Sequence, residues 1–144
     1  EDSIDYDIKI IGDGPEKEFI TNKIKQNNLE NNIELIGFKK NPYPYILAAD
    51  IIVSTSYSEA YPSVLIEALI LSKPIIASNI DANNEILDNG KYGLIWNDIE
   101  DLSKKIELLL RDEYFYKKYC EASKLRAKEL SYEENIKIIE DLFN

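Results

Sequence analysis

The sequence contains no histidine, no methionine and a single cysteine among its 144 residues. Without histidine there is no Ser-His-Asp or Cys-His mechanism and no His-ligated metal site. The lone Cys120 excludes an internal disulfide and a zinc site built from several thiolates. It reads as a small packing residue in a helical stretch and fits a reducing, cytoplasmic setting. Basic residues are the minority, 17 against 27 acidic, a net charge of −10. That balance argues against nucleic-acid phosphates or an anionic membrane surface as the main partner. No apolar run approaches the ~20 residues of a membrane helix, and the acidic, polar start is not the pattern expected of a signal peptide. Without a methionine, the chain is expected to be either a piece cut from a longer protein or a processed product. What is present is an apolar fraction of 44% with 31% charged residues. Over this length that composition suits one globular domain with a real core.

Short β-type runs alternate with helical segments. Ile8-Lys9-Ile10-Ile11 reads as a strand stopped by Gly12-Asp13-Gly14-Pro15. Residues 16–28 read as a helix, with Phe19, Ile20 and Ile24 on one face. Further strands are read at Ile33-Glu34-Leu35-Ile36, Ile51-Ile52-Val53-Ser54, Pro74-Ile75-Ile76-Ala77 and Tyr92-Gly93-Leu94-Ile95. A short helix follows the Asn41-Pro42-Tyr43-Pro44 turn, which is too short to divide domains, and residues 64–71 are strongly apolar and helix-favouring. Three helical stripes close the chain: Leu102/Ile106/Leu109/Leu110, Phe115/Tyr119/Ala122 and Ile136/Ile139/Phe143. The strands are continuous apolar runs, as expected of parallel strands covered on both faces. The expected fold is therefore α/β, a doubly wound parallel Rossmann-like sheet built from right-handed βαβ units.

In such a sheet ligands bind beyond the carboxyl ends of the strands. Gly12-Asp13-Gly14-Pro15 could present backbone N–H groups to an anion, and equally suits a turn that simply needs glycine. It is neither G-x-G-x-x-G nor a P-loop. The segment after the third strand is more telling. Glu59 lies in a loop, Ser63 is placed to cap the next helix, and Glu67 follows about one turn inside it among seven apolar residues. A carboxylate there needs a polar cleft or a fixed donor. Two carboxylates around a helix N-terminus suit a polyhydroxylated, phosphorylated ligand, the acids accepting from hydroxyls and the N-terminus holding phosphate. Read singly, Glu59 also fits an ordinary loop acid and Glu67 an exposed stripe.

At these residues the sequence resembles the retaining nucleotide-sugar glycosyltransferases of family 4, the glycosyl transferases group 1, which have the two-domain GT-B fold. The E-x7-E signature matches Glu59-Ala60-Tyr61-Pro62-Ser63-Val64-Leu65-Ile66-Glu67. Ile10-Ile11-Gly12-Asp13-Gly14-Pro15, Ile36-Gly37-Phe38, Ala48-Ala49-Asp50, Lys73-Pro74-Ile75-Ile76-Ala77 and Asn89-Gly90-Lys91-Tyr92-Gly93-Leu94 match in order. The resemblance implies a single nucleotide-sugar-binding domain over residues 1–144, the C-terminal half of a GT-B enzyme truncated at its N-terminal edge.

It further implies that Glu59 acts at the donor sugar as the catalytic candidate and that Glu67 holds the ribose hydroxyls. Backbone groups at Ala60, Tyr61, Pro62, Ser63, Val64 and Leu65 would meet sugar and diphosphate. Gly37, Phe38 and Lys39 would line the base site, and Gly12 and Gly14 the cleft floor. The donor would be a nucleotide-diphosphate sugar, and no metal or other cofactor is expected. Transfer would retain the anomeric configuration, toward a glycan or lipid-linked acceptor in polysaccharide biosynthesis. The partners implied are the nucleotide sugar and an N-terminal acceptor domain lying outside this chain, with no nucleic acid and no membrane contact through this domain. The full-length enzyme would be cytoplasmic or peripheral at the membrane.

Three departures from the family pattern stand out. Ala60 replaces the usual glycine, Asp81-Ala82-Asn83-Asn84 replaces a glycine pair, and nothing before Ile8 supplies the basic residues that clamp the diphosphate. The chain alone is therefore expected to be inactive, and the stripe at 132–143 to favour self-association. The alternatives are a non-catalytic flavodoxin-like binding module and half of a GT-B-type epimerase or phosphorylase.

Overall fold

The computed structural model describes residues 5–131. The helix read at residues 132–143 lies outside them. The chain divides into two compact units at Pro42/Tyr43. The division falls in the proline turn that sequence alone does not mark as a boundary.

The first unit is a βαβ motif. Strand β1 (Ile8–Ile11) pairs in parallel with β2 (Ile33–Gly37), Ile8 opposite Ile33 and Ile10 opposite Leu35, with a shift in register before Ile11 meets Gly37. Helix α1 (Lys17–Gln26) connects them and turns Phe19, Ile20 and Ile24 toward Ile10, Leu29 and Ile33. It starts one residue later than the sequence pattern implies, because Pro15 and Glu16 form the preceding turn. It stops before Asn28, whose φ of 55° is left-handed.

The second unit carries the larger core. Its elements are α2 (Tyr43–Ala48), β3 (Ile52–Ser54), α3 (Ser63–Ile70), β4 (Ile75–Ser78), α4 (Asp81–Ile86), β5 (Leu94–Trp96), α5 (Ile99–Arg111) and α6 (Glu113–Glu129). The three strands form a parallel sheet in the order β3-β4-β5. Strand β4 is fully buried, and its side chains alternate between two cores. Ile75 and Ala77 pack with Leu65, Ala68 and Leu69 of α3 and with Ile86 and Leu87. Ile76 packs on the other face with Trp96, Leu109 of α5 and Tyr119 of α6. Each fully buried Leu or Ile among them contributes roughly 1.5–3 kcal/mol of transfer free energy. Helices thus cover both faces of this sheet, as the continuous apolar strand pattern requires.

Helix α4 was not expected from the sequence, because Asp81-Ala82-Asn83-Asn84 is rich in residues that favour turns. It forms because Ile86 and the following Leu87 reach the core. Helix α5 is capped by Asp98, whose carboxylate accepts from the Asp101 N–H, and α6 by Asp112, which accepts from Tyr114 and Phe115 N–H. Among the described residues no helix is long and apolar enough to cross a membrane.

Candidate functional site

In the first unit the glycines at the carboxyl ends of the two strands come together. The Gly12 N–H donates to the Gly37 C=O at 3.1 Å, and both residues have positive φ, 142° and 77°. Only glycine adopts these backbones without strain, which explains both positions locally. The Asp13 carboxylate accepts from the Gly14 N–H at 3.0 Å, and the Gly14 C=O accepts from the Lys17 N–H that opens α1. A Cβ placed on Gly12, Gly14 or Gly37 would meet open space. Phe38 follows with 74% of its surface exposed, beside Lys39.

In the second unit the Glu59 loop joins β3 to α3. Its entry is pinned from below. Trp96 Nε1–H donates to the Ser54 C=O at 3.0 Å, and the Ser78 hydroxyl donates to the Ser56 C=O. Its exit is fixed by the buried Pro62 and the fully buried Leu65. Between these anchors Tyr57, Ser58, Glu59, Ala60 and Tyr61 stand exposed, Tyr57 by 87%.

Ser63 does not cap α3. It is the first helical residue, and Pro62 holds the capping position with no side chain able to accept a hydrogen bond. The Ser63 N–H goes to the Tyr61 C=O and the Leu65 N–H to the Pro62 C=O. The start of α3 therefore carries its positive dipole end with no side-chain acceptor over it. Leu65 presents its side chain to the core, so any contact from it to a ligand is through the backbone.

Glu67 sits in the second turn of α3 and is half-buried. The apolar surroundings that sequence assigns to it are incomplete, because Val64 and Ile70, three residues to either side on the same face, are exposed, Ile70 by 64%. Among the described residues no hydrogen bond or ion pair engages the carboxylate of Glu59 or Glu67. Helix α6 packs along α3, and Ser123 on it donates to the Lys73 C=O at 2.7 Å, just beyond the C-terminus of α3.

Sequence reasoning missed the polar layer under this loop. Asn83 of α4 is completely buried and donates to the Ser78 C=O at 3.0 Å and to its hydroxyl at 3.1 Å. Asn79, beyond β4, bonds Asn97 beyond β5 at 2.8 Å and receives from Asn84 at 2.7 Å. The Lys105 ammonium, then the Asn97 N–H, hold the carboxyl of Asp101, in the first turn of α5, below its usual range. The available signal was an Asn-rich stretch after a strand and a single tryptophan at a strand end.

The family model for glycosyl transferases group 1 matches residues 1–135. This chain belongs to that family. An uncharacterised glycosyltransferase of Methanocaldococcus jannaschii is 33% identical over 147 residues, covering 96% of this chain and 42% of that protein. An N-acetylgalactosaminyltransferase of Campylobacter jejuni that acts on a diphospho-undecaprenol-linked sugar is 28% identical, over 95% of this chain and 38% of its own length. Among solved structures, a variant of Staphylococcus aureus TarM in complex with UDP, fondaparinux and α-GlcNAc-glycerol superposes with a TM-score of 0.82 at 29% identity. It covers 96% of this chain and 29% of that one. Anabaena HepE bound to UDP superposes at 0.79 with 21% identity, which speaks for the fold. This group 1 chain therefore spans about two fifths of the length of the curated relatives it matches. The Rossmann-like parallel α/β fold of a GT-B half is borne out.

Proposed function

We propose that this chain is the donor-binding part of a retaining glycosyltransferase that moves a sugar from a nucleotide-diphosphate sugar to a glycan or lipid-linked acceptor. The observation that carries the reading is the placement of the E-x7-E pair. Glu59 stands exposed on a loop anchored at both ends, Glu67 half-buried on α3, and the uncapped start of α3 lies between them. Carboxylates without protein partners accept hydrogen bonds from sugar hydroxyls, and an uncapped helix start takes phosphate oxygens.

In this reading Glu67 holds the ribose hydroxyls, and Glu59 orients the donor sugar as its bond to the diphosphate breaks. Backbone groups at Ala60 to Ser63, with the helix start at Val64 and Leu65, meet the sugar and diphosphate. In the first unit taken by itself, Gly12 and Gly14 leave open space for a ligand to approach the backbone, and Gly37, Phe38 and Lys39 are assigned to a base. The chemistry is electrostatic, fixed dipoles meeting charge that develops on the leaving diphosphate. It needs no resident metal and proceeds with retention, and its setting is the cytoplasm. The UDP complex of the TarM variant supports a uridine nucleotide as the first donor to try.

Titration calorimetry with UDP, GDP and ADP sugars tests the reading. One of them should bind, and Glu67→Ala should weaken it about tenfold or more, the worth of at least one hydroxyl hydrogen bond to a carboxylate. Unchanged affinity in Glu67→Ala would refute the assignment.

A further inference from the structure

Beneath the Glu59 loop lies a buried chain of hydrogen bonds with one sense of direction. Ser78 has a single hydroxyl proton, and it points to the Ser56 C=O. The same hydroxyl oxygen accepts from the Asn83 amide, which also donates to the Ser78 C=O. Asn83 can only donate through its nitrogen, so the order Asn83 to Ser78 to Ser56 is fixed by chemistry. The cost of this arrangement is visible, because Asn83 Oδ1 is the one buried side-chain acceptor left without a partner among the described residues. Buried amides are normally satisfied at both ends. Packing alone does not call for an asparagine here, since the Ser78 C=O already accepts from the Ile80 N–H at 2.9 Å.

We propose that Asn83 and Ser78 are positioning residues for the Glu59 loop. Asn83 locks the Ser78 hydroxyl in the rotamer that holds Ser56, and Ser56 sets where Glu59, three residues on, meets the donor sugar. The proposal rests on the donor-binding reading above. Glu67 stands on α3, outside the relay, and so the two carboxylates respond differently when the relay is cut. Misplacement of a reacting group by about 1 Å can cost on the order of 100-fold in rate, whereas nucleotide held through Glu67 is untouched.

The test uses the full-length enzyme that carries these residues. Nucleoside diphosphate release is measured from UDP, GDP and ADP sugars, alongside affinity for the free nucleotide and the thermal midpoint. Ser78→Ala should lower kcat/KM for the donor sugar by roughly 10-fold or more, with free-nucleotide affinity within about 2-fold. Asn83→Leu should lower kcat/KM in the same direction while the thermal midpoint holds or rises, because the substitution also removes the orphan acceptor. In the Ser78→Ala background, Asn83→Leu should add nothing, the signature of residues acting in series. If the unsubstituted enzyme neither binds nor turns over any of these sugars, the donor reading itself falls, and the relay with it. If it turns them over and Ser78→Ala keeps kcat/KM, or the two substitutions are additive, the relay alone is overturned.

Discussion

Arg126 offers the sharpest test of how α6 holds the end of α4 in place. Its guanidinium donates from Nε to the Ile86 C=O at 2.7 Å and from Nη2 to the Glu85 C=O at 2.9 Å. These are last-turn carbonyls of α4, so a cation here adds a donor to the Ile86 C=O, supplements the Asp88 N–H on the Glu85 C=O, and meets the negative end of the helix dipole. The guanidinium also lies 5.0 Å from the Tyr92 ring centre, and Nη1 pairs with Glu129 at 3.1 Å. Two charge-assisted hydrogen bonds are each worth about 1.5–3 kcal/mol at most, and they share one side chain. The stacking adds about 0.5–1 kcal/mol, and the partly exposed ion pair adds about 0–1 kcal/mol.

Arg126→Ala should therefore cost about 3 kcal/mol, much of it from the Ile86 carbonyl left in a buried setting. Arg126→Lys keeps the charge and loses the planar fork, so it should recover no more than about half of that. Trp96 is the only tryptophan and is 5% exposed in the second unit's core, so its fluorescence reports this unit. At roughly 4–8 °C per kcal/mol for a unit of this size, Arg126→Ala should lower the midpoint by about 12–24 °C. A loss below about 1 kcal/mol, or a lysine variant as stable as the wild type, would refute the capping argument.

Three further outcomes follow from the same structure. Tyr92 O–H, then Arg126, hold the Glu129 carboxyl below its usual range. A depressed folded-state pKa gives stability that is present above the unfolded value and lost as pH falls through the folded one. The Trp96 unfolding midpoint should thus drop below about pH 4.5, and Glu129→Gln should flatten that slope; an unchanged slope would contradict the assignment. A Cβ on Gly93 would sit 3.0 Å from Leu87 Cδ1 and 3.1 Å from the Ile75 C=O, whereas one on Gly14 meets nothing. Gly93→Ala should cost about 1–3 kcal/mol, while Gly14→Ala should be neutral or stabilising in urea melts, so any loss of nucleotide affinity in Gly14→Ala reports the ligand's approach. Burial pushes the Cys120 thiol up, so it should react with iodoacetamide at pH 7 more slowly than a free cysteine, and faster alkylation would place it in a different environment.

The legible parts of this fold were those written in local spacing. Glu59 and Glu67 could be placed on a loop and a helix because the run at 64–71 has helical character and β3 before it is short and apolar. The cap of α3 was misread because Ser63 is a good cap by composition, yet Pro62 already has the fixed φ of a helix start and brings the next residue into the first turn. The division at Pro42 was not legible, since a four-residue turn carries no record of which strands pair. The polar layer was invisible for a related reason. Its bonds join Ser54 to Trp96, 42 residues on, and Ser56 to Ser78, 22 residues on.

No periodicity records such pairings, because they exist only once three parallel strands end at one level. That level is also where a parallel sheet offers its binding edge. In the proposed reading, the candidate residues Glu59 and Glu67 could be named from sequence, and those proposed to aim the Glu59 loop could not. An aiming residue is defined by what lies across the sheet from it, and Ser78 and Asn83 resemble any other small polar residues after a strand until β3 and β5 are in place on either side of β4.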